Sequence, residues 1–404
     1  MAKVFTKGVR LEKLMNHLDI GTARAIAFYL PQFYPIPEND AWWGKGFTEW
    51  VHVARATPLF RGHYQPRIPA DLGFYDLRLS ETRWAQAEMA KEYGIEAFCY
   101  WHYWFAGRRI LERPFNEVLQ SGEPDFPFCL AWANHSWHGK WIPWGNGLRD
   151  SVLIEQVYRG LEDARSHFYC LLEAFADRRY IKVDDKSLLF IAYPRSIPDV
   201  RRVTDHWREL AHREGLKGLY LIGWNLSREE TQSFGFDGSS YMHLDRLPPR
   251  VGGVRNQRFV YYYRKLVSKP NVWKYRKAVP LLLKQEPLAL NEYPTVIPNF
   301  DNTPRAGARG LVIHETTPEL FRIYFRKALQ SVQDKPAQQR FLFIRSWNEW
   351  SEGNYLEPDT RFGRAFLEVI KEESLNQDEP AKSSVFERYS LDRPRGTDVV
   401  TPWP

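Results

Sequence analysis

The sequence predicts an α/β fold, a single (β/α)8 barrel of the TIM type. Apolar runs of strand length alternate with helix-like segments about eight times. Aromatic and polar residues gather just past the ends of those runs, where barrel enzymes build their sites. The length of 404 residues suits one such unit. The strand candidates are 25–30, 97–101, 126–133, 188–193, 219–224, 238–242, 295–298 and 341–346, each a short buried run of the kind covered on both faces. Helix candidates lie between them at 81–93, 111–119, 161–175, 199–214, 259–283 and 318–330. The first of these follows Ser80, an expected N-cap, and stops at Gly94. The sixth strand has the weakest signal, and a doubly wound sheet is the alternative arrangement. Residues 1–24 read as an N-terminal extension, 25–376 as the barrel, and 377–404 as a tail with little periodicity.

Composition bounds the function. With 44% hydrophobic residues the chain has ample material for a core, which excludes a disordered protein. Residues 1–20 hold no apolar run suited to a signal peptide, and no later segment could span a bilayer. Cys99, Cys129 and Cys170 are scarce and odd in number, so free thiols in a reducing compartment are expected. The expected location is cytoplasmic, at most peripheral to the inner membrane face. The formal charge is +7, yet the stretch from Arg246 to Gln285 carries eleven Lys or Arg and no acid, which leaves −4 for the rest. This stretch reads as a basic helical insertion after the sixth strand. It is either a solvated helix face or a contact for an anionic partner: a lipid-linked glycan, an acidic polysaccharide or a membrane surface. Nucleic acid is not expected, because the remaining surface is not basic.

The richest stretch for chemistry is FLFIRSWNEWSEGNYLE, residues 341–357. An apolar strand ends there in Glu349 and Glu352, set among Trp347, Trp350 and Tyr355. Acting on a glycosidic bond takes one carboxyl group for the leaving oxygen and a second for the other side of the sugar. Three-residue spacing puts two side chains on one side of a turn. The plainer reading leaves both acids in water or paired with Arg345 or Arg361. Burying charge between tryptophans is costly without a purpose, and this favours the catalytic reading. Other expected sugar contacts are Tyr29, Trp101, His102, Trp132, Asn134, His135, Trp224, Tyr241, Asn299, Asp301, Asn302, Trp347, Asn348 and Trp350, all near strand ends. His102, His135, His138 and His243 raise the question of a metal, but no His-Glu-x-x-His helix or acidic cluster accompanies them. No Gly-rich loop follows a strand as nucleotide cofactors require, so neither metal nor cofactor is expected.

The blocks AFYLPQFYPIPENDAWWGKGFTEWVHV (27–53), GIEAFCYWHYWF (94–105), FPFCLAWANHSW (126–137), VIPNFDNTPR (296–305) and SWNEWSEGNYLEP (346–358) resemble the WbsX-type, glycoside hydrolase family 99-like proteins. These are commonly encoded with bacterial polysaccharide biosynthesis, lipopolysaccharide O-antigen included, and the resemblance covers residues 25–366. It implies a barrel acting on glycosidic bonds of an oligo- or polysaccharide. Hydrolysis by a retaining, endo-acting α-mannosidase or mannanase is the leading expectation. Glycosyl transfer by the same barrel and a non-catalytic glycan-binding role are the alternatives. The family's Glu-Trp-His-Glu motif corresponds to Glu349-Trp350-Ser351-Glu352, with Ser351 in the histidine position. By resemblance, Glu349 would deprotonate the sugar 2-hydroxyl to give a 1,2-anhydro intermediate. Glu352 would protonate the leaving oxygen, so Glu352 is expected to be the more protonated partner.

Overall fold

The computed structural model describes residues 23–139, 151–242, 244, 247, 269–284 and 287–375. Eight strands form the barrel: β1 (Arg24–Tyr29), β2 (Ala97–Phe105), β3 (Phe128–Trp132), β4 (Lys186–Ile191), β5 (Leu219–Trp224), β6 (Gly238–Tyr241), β7 (Glu292–Val296) and β8 (Phe341–Ile344). All neighbours in this ring are parallel. β1 closes it by pairing with β8 on one side (Ala25 opposite Leu342) and β2 on the other (Phe28 opposite Cys99). Closure excludes the doubly wound sheet, whose edges would stay open.

A helix follows each strand: α1 (Ser80–Glu92), α2 (Arg113–Ser121), α3 (Gly160–Ala176), α4 (Val200–Arg213), α5 (Arg228–Ser233), α6 (Tyr275–Leu282), α7 (Pro318–Gln330) and α8 (Ala365–Leu375). α1 starts one residue earlier than expected. Leu79 occupies the capping position, and Ser80 Oγ donates to Glu81 instead. Gly94 follows at φ +82°, where a side chain would be strained. α5 and α8 were not foreseen. The start of α5 is nonetheless written in sequence as a capping box, with Ser227 accepting from Glu230 N and the Glu230 side chain from Ser227 N.

Of the helix expected over 259–283, the described residues hold α6. Residues 259–268 lie outside the described residues, as do His243, most of the basic stretch 246–285 and the tail from 376. Ahead of α6, Asn271–Lys274 forms a strand beside Leu311–His314, with Asn271 and Trp273 buried and Val272 and Lys274 facing outward. That period of two is a strand pattern. Two cations of the basic stretch are paired within the protein, Lys274 with Glu315 and Lys284 with Glu292, both at 2.8 Å. Among the described residues no helix is long and apolar enough to cross a membrane. Cys99 and Cys129 are buried on adjacent strands as free thiols, and Cys170 is half-buried.

Strand alternation sets the core. Every second side chain points into the barrel, where the Phe28 ring lies 4.8 Å from Trp101, 5.1 Å from Phe190, 5.4 Å from Trp224 and 5.9 Å from Phe343. The intervening residues face the helices: Tyr29 lies against Phe98 at 5.0 Å, and Tyr100 against Phe115 of α2 at 5.3 Å. The weak signal of β6 has a packing cause. A Cβ at Gly238 would stand 2.7 Å from the Tyr293 ring, so bulk is excluded there. Its serines bond locally, Ser240 Oγ with Thr295 Oγ1 at 2.7 Å and Ser239 Oγ accepting from Leu226 N.

Two histidines are buried between barrel and helices. His102 Nε2 and His167 Nε2 are 2.9 Å apart, and His167 stacks on Trp104. One ring donates and the other accepts, which requires the accepting ring to be neutral. Burial holds His167 down at about 3 and His102 well below the usual range. Below pH 6.5 the unfolded chain takes up these protons and the folded one does not, so their contribution to stability is lost as pH falls. On the order of 2 kcal/mol is expected for His167 between pH 6.5 and 5. Urea midpoints measured across that range should therefore fall more steeply for the natural protein than for a His102→Phe/His167→Phe variant.

Candidate active site

The inward series on β8 runs Phe341, Phe343 and then, just past the strand, Arg345. Its guanidinium enters the C-terminal mouth of the barrel, 5.5 Å over the Trp224 ring. The chain then folds back over the end of β1. Trp347 N donates to Phe28 O, while Asn348 accepts from Leu30 N at 2.7 Å and donates to Leu30 O at 3.0 Å. Asn348–Glu349 pairs antiparallel with Asn354–Tyr355 around a 3-10 turn, Trp350–Glu352. Gly353 closes the turn at φ +52°, where a Cβ would stand 2.9 Å from Arg67 and from Asp301. Trp350 stacks on Tyr355 at 3.8 Å and donates to Glu357 at 2.6 Å.

This turn aims both glutamates at one cation. Arg345 Nη2 lies 3.3 Å from Glu349 Oε2 and 2.9 Å from Glu352 Oε2. Trp101, inward on β2, donates from Nε1 to Glu349 Oε1 at 2.8 Å. Glu352 has a second guanidinium, Arg305, whose Nη1 is 2.7 Å from its Oε1. Arg305 comes from the short helix Thr303–Ala306 and also pairs with Glu49, on the helix Glu49–Arg55. Glu49 accepts from Ser351 Oγ. The result is an alternating row of charge: Glu49, Arg305, Glu352, Arg345, Glu349. Tyr103 from β2 and Tyr193 after β4 border the acids, with Tyr103 edge-on to Trp137 at 5.2 Å and Tyr193 5.0 Å from His135.

The two carboxyl groups differ in proton affinity. Burial pushes Glu349 up to about 7, and the charge of Glu352 adds to this against the pull of Arg345. Burial also raises Glu352, but Arg305 and Arg345 outweigh it and hold that carboxyl below its usual range. The two guanidiniums around Glu352 act against the expectation that Glu352 is the more protonated partner. Glu349 is the deeper of the two, with its side chain 5% exposed against 16% for Glu352.

Of the other expected contacts, Trp101, Trp224 and His135 lie around the pair. Tyr29 points outward and donates to Gln86 at 2.6 Å. His102 faces α3, and Trp132 lies against His167 and Trp207 outside the barrel wall. Tyr241 donates to Leu226 O and Glu292, under Lys284. Asn134 is bound to the backbone of Tyr193 and to Tyr158. Asn299 accepts from Arg67, Asp301 accepts from Gln65 and Thr303 and bonds His63, and Asn302 accepts from Leu311 N. Trp347, Asn348 and Trp350 brace the turn rather than line it. Tyr29, His102, Trp132 and Tyr241 point away from the acids because neighbouring strand positions face opposite sides of the wall. Arg361, the other cation considered for the pair, stacks on Tyr64 and Phe362.

Sequence reasoning missed Glu49 and Arg305, noted Ser351 only as the residue in the histidine position, and took His102 where parity from Trp101 selects Tyr103. Arg345 was recognised only as a salt-bridge partner. Among the described residues no group of three or more His, Cys, Asp or Glu could hold a metal ion.

Comparison with known proteins agrees with the resemblance. The chain is 36% identical over 356 residues to the uncharacterized protein WxcX of Xanthomonas campestris pv. campestris, in strains B100 and ATCC 33913, covering 87% of this chain and 49% of the relative. It thus spans about half the length of these relatives. Among solved structures, a GH99 endo-alpha-mannosidase from Bacteroides thetaiotaomicron superposes with a TM-score of 0.50 at 15% identity, covering 91% of this chain and 98% of that one. A glycoside hydrolase-like protein gives 0.51 at 15% identity, over 87% and 94%. At such identity these two establish the fold. The family model for glycosyltransferase WbsX matches residues 25–370, and the chain belongs to that family.

Proposed function

We propose that the protein acts on glycosidic bonds of an oligo- or polysaccharide with retention of anomeric configuration, through Glu349 and Glu352. The observation that carries this reading is the convergence of both carboxyl groups on one Arg345 nitrogen at the mouth of the barrel. Carboxyl groups that share one guanidinium nitrogen favour the closer spacing of a retaining pair, ~5–5.5 Å, over the about 6.5–9.5 Å by which an inverting pair admits water. In a retaining reaction one carboxyl group gives its proton to the leaving oxygen, and the glycosyl unit stays activated until an acceptor takes it. Water as acceptor gives hydrolysis and a sugar hydroxyl gives transfer, so the family's description as a glycosyltransferase fits the same chemistry. Aromatic faces at Trp101, Trp224 and Tyr103 supply flat apolar surface beside the polar row, as sugar pockets require. The endo-alpha-mannosidase neighbour makes internal α-mannosidic linkages the first substrates to try.

The test is product analysis of α-mannan oligosaccharides and of the producing cell's own surface polysaccharide, with and without an acceptor sugar. Glu349→Gln and Glu352→Gln should each lower turnover by roughly 10²–10⁴-fold while glycan binding persists. Glycan binding with no turnover in the natural protein, and none altered by either change, would leave a binding protein instead. Trp101→Phe keeps a ring against Phe28 but removes the donor to Glu349, and should lower kcat/KM by about 10–100-fold, as read in initial rates.

A further inference from the structure

The two acids of the pair are not equivalent in their surroundings, and the asymmetry comes from residues outside the turn. Glu352 receives a guanidinium on each oxygen, Arg305 at 2.7 Å and Arg345 at 2.9 Å. Glu349 receives the neutral indole of Trp101 at 2.8 Å and a longer contact of 3.3 Å from Arg345. Two charge-assisted bonds on one carboxylate favour its ionised form over that of a deeper neighbour with one weak cation contact.

We propose that Arg305, anchored by Glu49, is a positioning residue that places the single proton of the pair on Glu349, making Glu349 the acid of the site and Glu352 its carboxylate. The role of acid rests on the glycosidic reading; the placement of the proton does not. In that reading the Glu349 proton goes to the glycosidic oxygen as the C1–O bond breaks with its electron pair to that oxygen. Glu352, already ionised, supplies the compensating charge at C1 or takes the proton of the 2-hydroxyl. This exchanges the roles that the family resemblance implies.

Each element packed around the pair fits this allocation. β8 brings Arg345, and the helix Thr303–Ala306 brings Arg305. The helix Glu49–Arg55 brings Glu49 and His52, the latter held neutral by burial and by Arg305. β2 brings Tyr103 and the loop after β4 brings Tyr193, whose hydroxyls burial raises further, so both are uncharged at neutral pH. For His135, after β3, partial enclosure and Arg345 both disfavour a charge. The full charges left are two guanidiniums against Glu49 and Glu352, and the row is neutral when the fifth group, Glu349, keeps its proton. Anchoring matters because Arg305 is bound on its far side: Glu49 holds one of its nitrogens, and Ser351 Oγ holds Glu49.

The test is a direct titration of the substrate-free protein labelled with 13C at the glutamate carboxyl carbons, followed by NMR from about pH 4 to 9. In the natural protein a resonance titrating near pH 7 should vanish in Glu349→Gln and remain, with its midpoint lowered by loss of the neighbouring charge, in Glu352→Gln. Glu357, also raised to about 7 by burial, is assigned separately with Glu357→Gln. Arg305→Gln should raise the Glu352 midpoint by about one pH unit or more, and Arg305→Lys should keep it within about half a unit. The proposal is overturned if the near-neutral resonance is the one lost in Glu352→Gln, or if a folded Arg305→Gln protein leaves both midpoints in place. Should Arg305→Gln fail to fold, the natural protein with its two glutamine variants still decides where the proton lies. A protein that turned over no glycan would sink the glycosidic reading without touching this result.

Discussion

The Arg345 guanidinium at the end of β8 is the constraint on which the site depends. Two carboxylates brought together by a 3-10 turn repel each other, and each is costly to withdraw from water. Arg345 lies within bonding distance of both, and Arg305 takes the remaining oxygen of Glu352. Without these cations the turn would have no reason to face inward. With them, buried acids become compatible with a barrel core that is otherwise made of Phe28, Phe190, Phe343 and two tryptophans.

Much of the polar chemistry near the mouth serves to hold that turn. Glu357 accepts from Trp350 Nε1, Gln86 Nε2 and Tyr75 OH, three donors that satisfy a fully buried carboxyl group. Asn348 joins the turn to the end of β1, and Arg67 spans Asn299 and the Gly353 carbonyl. Asp301 anchors the segment that precedes Arg305 through Thr303. A catalytic pair must be held to fractions of an ångström, and such supports keep its rotamers from drifting. They look like sugar ligands in sequence because the same residue types serve both purposes.

The chain belongs to a family described by glycosyl transfer, yet its barrel superposes on hydrolases. The retaining pair proposed above would reconcile the two, because acceptor choice and not the carboxyl chemistry separates hydrolysis from transfer. The chain spans about half the length of its WxcX relatives.

The barrel was legible because eight short buried runs with helices between them admit few other arrangements, and β6 was faint only because Tyr293 fills the space its residues would use. Glu349 and Glu352 were legible because acids three apart between tryptophans at a strand end are rarely incidental. Side-chain direction was the main source of error: Tyr29, His102, Trp132 and Tyr241 all stand at strand ends, but each falls on the helix-facing side of the pleat. The unequal surroundings of the two acids were illegible for a different reason. The sequence alone determined the fold class and the acid pair, since both follow from local pattern and spacing. Only the tertiary structure decided which acid is flanked by two guanidiniums, because Arg305, 47 residues before Glu352 along the chain, and Glu49, which holds Arg305 from 303 residues before Glu352, are brought there by the fold, and Coulomb interaction depends on distance in space.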